Sequence, residues 1–149
     1  MKDNRIKINP GDLALLNKKL NKLKKFSKQE FSDELGRTAA DIASVAVREV
    51  VVDTGNLKQS ISWGATKLQA HVEANAVYAP FVEFGTGSNV STSDAQALGI
   101  EPSMIKAMFK GKGEKKINLK PRPFFFPAVR AGFNELLVRL KKTIKTDLQ

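Results

Sequence analysis

The spacing of apolar residues changes twice along the chain, and no other feature of the sequence limits the fold as strongly. Over roughly the first fifty residues, apolar side chains recur every three or four positions, as on the buried face of a helix. In residues 60–75 they alternate with polar side chains, as in a strand, and the helical spacing returns after residue 127. We therefore predict helices at both ends of the chain and a β-hairpin between them.

Two helices are predicted at the N-terminal end. Pro10 suits the first position of the first helix, and Ser27 with Glu30 has the capping-box spacing that opens the second. The second helix should end near residues 51–52, because Gly55 follows. The first helix carries one narrow stripe of leucines, formed by Leu13, Leu16, Leu20 and Leu23.

The middle of the chain predicts a hairpin and then a short aromatic segment. Alternation in residues 60–63 and again in residues 68–75 predicts two paired strands, with a turn at residues 64–67. Residues 78–84 are compact and aromatic, and they fit either a strand or a short helix near Pro80. The sequence does not decide between these two structures.

A long loop is predicted over residues 85–120, where the periodic pattern weakens and small polar residues are frequent. It has room for a short helix beginning at Pro102. The length of 149 residues fits one domain over residues 1–149. A last helix closes the chain, and its predicted apolar face is formed by Val129, Phe133, Leu136, Leu140 and Ile144.

Charge is distributed unevenly along the chain. The net charge is +10, yet residues 1–30 hold nine basic against three acidic residues, residues 31–109 five against nine, and residues 110–149 eleven against three. Two basic ends thus flank an acidic middle. Such a chain can contact nucleic acid, or its basic ends can dock on the acidic middles of other copies.

Several classes of protein are excluded by composition. The chain has no cysteine, which rules out disulfides and thiolate chemistry, and His71 as the one histidine argues against a structural zinc site. No apolar run approaches the roughly 18–20 residues of a membrane span. Residues 1–5 lead into no apolar segment, so no secretion signal is predicted and we expect maturation in the cytoplasm.

The triplet Asp53-Thr54-Gly55 matches the catalytic triplet of aspartic proteases, in which two aspartates share a proton. In that class the triplet follows a strand, whereas here an alanine-rich helical pattern precedes it. We interpret the triplet as a structural turn, with Asp53 or Thr54 as a cap and Gly55 relieving backbone strain. No catalytic, cofactor or metal site is predicted, and we do not expect an enzyme.

Two aromatic segments are candidates for contacts with another subunit or partner. Three consecutive phenylalanines cannot all enter one core, because successive side chains diverge. The other segment adjoins a glycine-rich loop, where an exposed apolar patch would mark an interface. The alternative, that all of these rings pack beneath the helices, is nearly as well supported. The candidate interface residues are Tyr78, Phe81, Glu83, Phe84, Phe124, Phe125 and Phe126.

Three segments in order resemble the tail-completion (head–tail joining) proteins of long-tailed bacteriophages. Residues 52–61 match a family turn of the form Asp-Thr-Gly-x-Leu-x-x-Ser-Ile. Residues 78–86 match a Tyr-Ala to Glu-Phe-Gly-Thr segment, and residues 122–128 match a Pro-Phe to Pro-Ala run that opens the final helix. The resemblance spans about residues 28–145, and it assigns no role to residues 88–120.

The resemblance implies an α+β fold, in which a small, mostly antiparallel sheet packs against an N-terminal helix pair and a C-terminal helix, with a long loop. It implies a structural virion subunit in a homo-oligomeric ring, with a hexamer favoured, in the neck between the DNA-filled head and the tail. The implied partners are a head-side adaptor or head-closure protein and a tail terminator or tail tube protein, with no cofactor and no membrane. DNA would pass through the ring.

Within such a ring, Glu83 and Asp94 of one copy are hypothesised to meet basic residues of the next copy. The chain would be made in the cytoplasm of the host bacterium. The alternative function is that of a small basic protein that binds DNA without sequence specificity.

Overall fold

A computed structural model describes residues 10–25, 29–51, 55–87, 90–108 and 118–148. The described part is mostly helical and contains a two-stranded antiparallel sheet, so the predicted α+β class is confirmed. The elements are α1 (Pro10–Lys25), α2 (Phe31–Glu49), α3 (Asn56–Gln59), β1 (Ile61–Thr66), β2 (Gln69–Ala74), α4 (Ala79–Phe84), α5 (Ser93–Ala97), α6 (Pro102–Met108) and α7 (Phe125–Leu148).

Strands β1 and β2 form the predicted hairpin, but its turn lies closer to β2 than the sequence indicated. Ile61 pairs with Ala74 and Thr66 pairs with Gln69, which leaves only residues 67–68 in the turn. The strand continues through Gly64, which pairs with His71, and the His71 ring lies beside the glycine. A Cβ at Gly64 would come within 2.5 Å of the His71 Cε1 atom.

The core lies where α2 packs against the hairpin and against α7. Helix α2 presents small side chains to this core, since Ala39, Ala43 and Ala46 are all buried. Small residues on a packed face allow two helix axes to come close together. One connected cluster of buried residues results, formed by Ile42, Ala46, Val50, Leu57, Ala79, Phe124 and Ala128.

The buried face of α7 differs from the predicted one. Leu136 is buried as expected, but Phe133 is 51% exposed. The buried row instead includes Ala128 and Gly132, which lie two turns and one turn before Leu136 on the same side of the helix. The predicted stripe was wrong at Phe133 because the close approach of α2 selects the smallest residues of α7, not the largest.

Helix α1 begins at Pro10 as predicted and lies beside α7. The leucines of its predicted stripe whose side chains the structure describes do not enter the core: Leu13, Leu16 and Leu20 are between 45% and 52% exposed. The side chain of Leu23 lies outside the described part. Every other α1 side chain that the structure describes is exposed as well, except the half-buried Lys19. No helix among the described residues is long and apolar enough to cross a membrane.

The segment predicted as a long loop contains two short helices in its described part. Helix α6 begins at Pro102, as the sequence indicated, whereas α5 was not predicted. Both contribute to a second buried cluster, in which Ala95 and Ile105 pack with Phe84. The sequence did not reveal α5 because a helix of five residues is too short to show a period.

Candidate functional site

The carboxylate of Glu83, in α4, closes the N-terminal end of α7. One of its oxygens, Oε2, accepts the backbone N–H groups of Phe124 at 2.8 Å and Phe125 at 2.9 Å. The other, Oε1, accepts the N–H of Phe126 at 3.0 Å. The first N–H groups of a helix have no partner within the helix, and they form the positive end of its dipole. Glu83 therefore caps a helix that begins more than forty residues later in the chain.

Residues on either side of Glu83 hold the segment that leads into α7. The N–H of Thr86 donates to the Leu119 carbonyl at 3.0 Å, and the Leu119 N–H donates to the Thr86 Oγ1 at 2.9 Å. The N–H of Arg122 donates to the Val82 carbonyl at 2.8 Å. We call residues 82–86 together with residues 118–126 the clasp.

Gly85 is required at the centre of the clasp for two reasons. Its φ is +74°, a left-handed conformation that L side chains rarely adopt. A Cβ at this position would also lie 2.7 Å from the Leu119 carbonyl oxygen and 2.8 Å from the Pro121 nitrogen, both of them backbone atoms. Each residue of the Glu-Phe-Gly-Thr sequence at residues 83–86 thus has a structural role. The glutamate caps α7, the phenylalanine ring is buried, the glycine adopts a left-handed conformation, and the threonine hydroxyl accepts a hydrogen bond.

We expect Gly85→Ala to lower the free energy of unfolding by about 2 kcal/mol, because the left-handed strain alone costs about 1–2 kcal/mol and the backbone of residues 119–121 must also move. Urea denaturation followed by circular dichroism measures the change. Gly55→Ala is the matched control, since Gly55 has φ −53° and a Cβ there would be 3.6 Å from its nearest neighbour, Gln59 Nε2. Equal stabilities of the two variants would contradict the clasp.

The three consecutive phenylalanine rings diverge, as the sequence predicted. Phe124 is 1% exposed in the main cluster, and Phe126 packs on the second cluster with its ring centroid 5.4 Å from that of Phe84. Phe125 lies between them, in edge-to-face contact with the Phe126 ring at 5.5 Å. The clasp therefore joins two clusters of the same chain.

The structure brings the predicted interface residues together, although an interface role stays a prediction. Glu83, Phe84 and Phe124 are buried within the chain. Tyr78, Phe81, Phe125 and Phe126 are half-buried, and the Tyr78 hydroxyl is shielded from solvent without a hydrogen-bond partner among the described residues. Assembly of a Glu83→Lys variant would test folding as much as subunit contact, because its carboxylate caps α7.

The remaining predicted residues are those of the structural turn at residues 53–55 and Asp94. Asp53 and Thr54 lie outside the described residues, while Gly55 precedes α3 in a right-handed conformation that every residue can adopt, so strain does not explain it. Asp94 lies 3.1 Å from the Arg130 guanidinium of the same chain. Within the described ranges, no group of three or more His, Cys, Asp or Glu side chains could hold a metal ion.

A second region, which the sequence did not predict, is an open groove of about 360 Å³ between α2, β2 and α7. Its lining is mainly apolar and includes Leu35, Val72, Ile100, Val129 and Phe133. The sequence placed Phe133 on the apolar face of the last helix and predicted that it is buried in the core. Its exposure was therefore not predicted. Only the position of α2 relative to α7 leaves this side chain uncovered.

Residues 14–85 match the model of a family described as "Bacteriophage HK97-gp10, putative tail-component". The match runs from α1 to the centre of the clasp. It includes the first of the three segments on which the resemblance to tail-completion proteins rested, and all of the second except Thr86. It fits that resemblance, which is confirmed at the level of a phage tail-component family over these residues. No curated protein and no solved structure shows a significant match.

Proposed function

We propose, from the match of residues 14–85 to a phage tail-component family, that this chain is a structural subunit of a ring in the phage neck. The ring joins the DNA-filled head to the tail, and six copies are favoured. A head-closure or adaptor protein contacts one face, and a tail terminator or tail tube protein contacts the other. Residues 1–149 act as one domain, and the role requires no catalysis.

The family match is the observation that carries this proposal, and the clasp supports it. Two of the three family-like segments, residues 78–86 and 122–128, are far apart in sequence but bound to each other through Glu83. The two segments form one structural unit, the clasp, and this explains why they occur together in the sequence. The third segment, residues 52–61, leads directly into β1.

Exposed apolar side chains support assembly with other proteins. Among the described residues, Trp63, Leu68, Val77 and Val138 are each about half exposed or more. Scattered apolar residues are ordinary on a protein surface. A continuous row along a helix, as in α1, is less ordinary and indicates a covered surface in the assembled particle.

The proposal is tested by removing the gene from a phage genome that carries it. We expect the mutant to accumulate DNA-filled heads and separate tails, visible by negative-stain electron microscopy, and to yield no infectious particles. Supplying the wild-type chain from a plasmid should restore joined particles. Joined, infectious particles in the absence of the chain would refute the proposed function.

Nonspecific DNA binding is the second candidate, and the lysines of α1 and the end of α7 favour it. Lys18, Lys22, Lys141 and Lys145 are exposed on two helices that lie side by side. Phosphate contacts weaken steeply as salt rises, whereas an apolar subunit contact does not. A complex with DNA that is lost between about 50 and 200 mM salt, without any change in oligomer mass, would favour this alternative.

A further inference from the structure

Helix α1 lacks the packing that a helix of its length needs. It has 16 residues, and isolated helices of this size are only marginally stable in water. Most of the stability of a helix in a protein comes from burying its apolar face, yet Leu13, Leu15, Leu16 and Leu20 remain 45–54% exposed. The contact of α1 with α7 covers part of these side chains and leaves the rest for another surface.

The groove between α2, β2 and α7 is an apolar surface that the described residues leave partly exposed to solvent. Phe133 in its wall is 51% exposed, and Leu35, Ile100 and Val129 are only half-buried. The groove is partly open to solvent. Its volume of about 360 Å³ admits a row of side chains from a docked helix.

Charge distinguishes the two surfaces. Lys18 and Lys22 are exposed on α1. The arginines beside the groove are already paired within the chain: Arg130 with Asp94 at 3.1 Å, and Arg139 with Glu34 at 2.7 Å.

One acid near the groove has no ion pair among the described residues. Glu101 follows the lining residue Ile100 and is exposed. The groove therefore offers uncompensated negative charge beside an apolar floor. A leucine row flanked by lysines, as on α1, is complementary to it in both respects.

We propose that the exposed leucine row of α1 in one copy docks in the groove between α2, β2 and α7 of the next copy. The two surfaces differ, so the contact is head-to-tail, and such contacts close into a ring when the rotation between copies allows it. This inference rests on the proposed ring and specifies which surfaces build it.

A cross-linking experiment tests the contact directly, because the chain has no cysteine of its own. Chains with Leu20→Cys are mixed with chains with His71→Cys, which places one thiol on the leucine row and one in the groove. Each chain then carries one thiol, so a product between the two kinds of chain is intermolecular. A short bismaleimide should link the two kinds of chain efficiently.

Val51→Cys provides the matched control for the groove position. Val51 is exposed and follows the far end of α2, about 13 Å from Ile42, the last groove residue of α2, at 1.5 Å per residue. We expect Leu20→Cys chains to link to His71→Cys chains at least tenfold faster than to Val51→Cys chains. Equal rates would overturn the inference, as would a purified chain that stays monomeric at every concentration.

A second measurement uses the leucines themselves. The double variant Leu16→Glu, Leu20→Glu should associate about a hundredfold more weakly than wild type in sedimentation equilibrium, because two apolar side chains of the contact become charged and face an acid. Leu68→Glu is the control, since Leu68 is 63% exposed at the hairpin turn, outside both surfaces. The thermal unfolding of both variants should stay near that of wild type.

The outcomes separate the contact from the proposed function. Wild-type association in the double variant overturns the α1 contact but leaves the neck ring standing. If the double variant binds DNA more weakly while its oligomer mass is unchanged, the α1 contact is also overturned, because α1 would then face DNA. Normal head–tail joining in a phage without the chain refutes the neck role, whatever the cross-links show.

Discussion

Replacing Glu83 with alanine is expected to lower the free energy of unfolding by about 3–5 kcal/mol. The carboxylate is 4% exposed and accepts three backbone N–H groups at the start of α7. Alanine would leave these donors without a partner, and the Phe124 N–H belongs to a residue that is 1% exposed. A buried donor without an acceptor costs about 1–3 kcal/mol.

Urea denaturation followed by circular dichroism at 222 nm measures the loss, and the midpoint should fall by about 2 M. Glu73→Ala is the control, because Glu73 is exposed on β2 and has no ion pair among the described residues, and its effect should stay within about 0.5 kcal/mol. Glu83→Gln should fall between the two, since its amide oxygen can accept but its NH₂ group faces donors. A change below about 1 kcal/mol in Glu83→Ala would show that the cap does not hold α7.

Gly132→Ala is expected to destabilise the protein by about 1–3 kcal/mol, although alanine normally stabilises a helix. A Cβ at Gly132 would lie 2.7 Å from the Ile42 Cδ1 and closer still to its Cγ1. Ile42 is buried in the main cluster, so it cannot turn away without displacing its neighbours. Thermal unfolding monitored by circular dichroism gives the stability difference.

Two further variants make this prediction specific to the contact between α2 and α7. Gly36→Ala is the control: Gly36 also lies within a helix, but its Cβ would meet only the Ala65 Cβ at 3.4 Å, so we expect a neutral or slightly stabilising effect. Adding Ile42→Ala to Gly132→Ala should cost about 1–3 kcal/mol less than the sum of the single changes. Strict additivity would contradict a direct clash between the two positions.

Much of the local structure could be predicted from the sequence. Pro10 marked the start of α1, Pro102 marked the start of α6, and alternation around Trp63 marked the hairpin. Each of these signals acts within a few residues, either through the fixed φ of proline or through the two-residue period of a strand. The order of three short segments also indicated the phage family that residues 14–85 match.

The candidate site was only partly predictable. Glu83 was selected as an interface residue whose charge would meet basic residues of the next copy, but its cap on α7 was not foreseen. The cap joins residues 41–43 positions apart, and no spacing rule in the sequence covers such a distance. Glu83 is the candidate whose side chain is an ionised carboxylate, which can accept several backbone N–H groups, and this is the signal that the sequence offered.

The sequence by itself therefore determined where the long helices and the hairpin form, the absence of cysteine chemistry and the separation of basic ends from an acidic middle. The tertiary structure decided which face of each element is buried. The periodicity of α7 allowed Phe133 to point into the core, but α2 approaches at Gly132 and leaves Phe133 half exposed. The periodicity of α1 likewise marks an apolar stripe without stating what covers it. A period fixes the relative positions of side chains on one element, whereas burial depends on which other surface is close enough to exclude water.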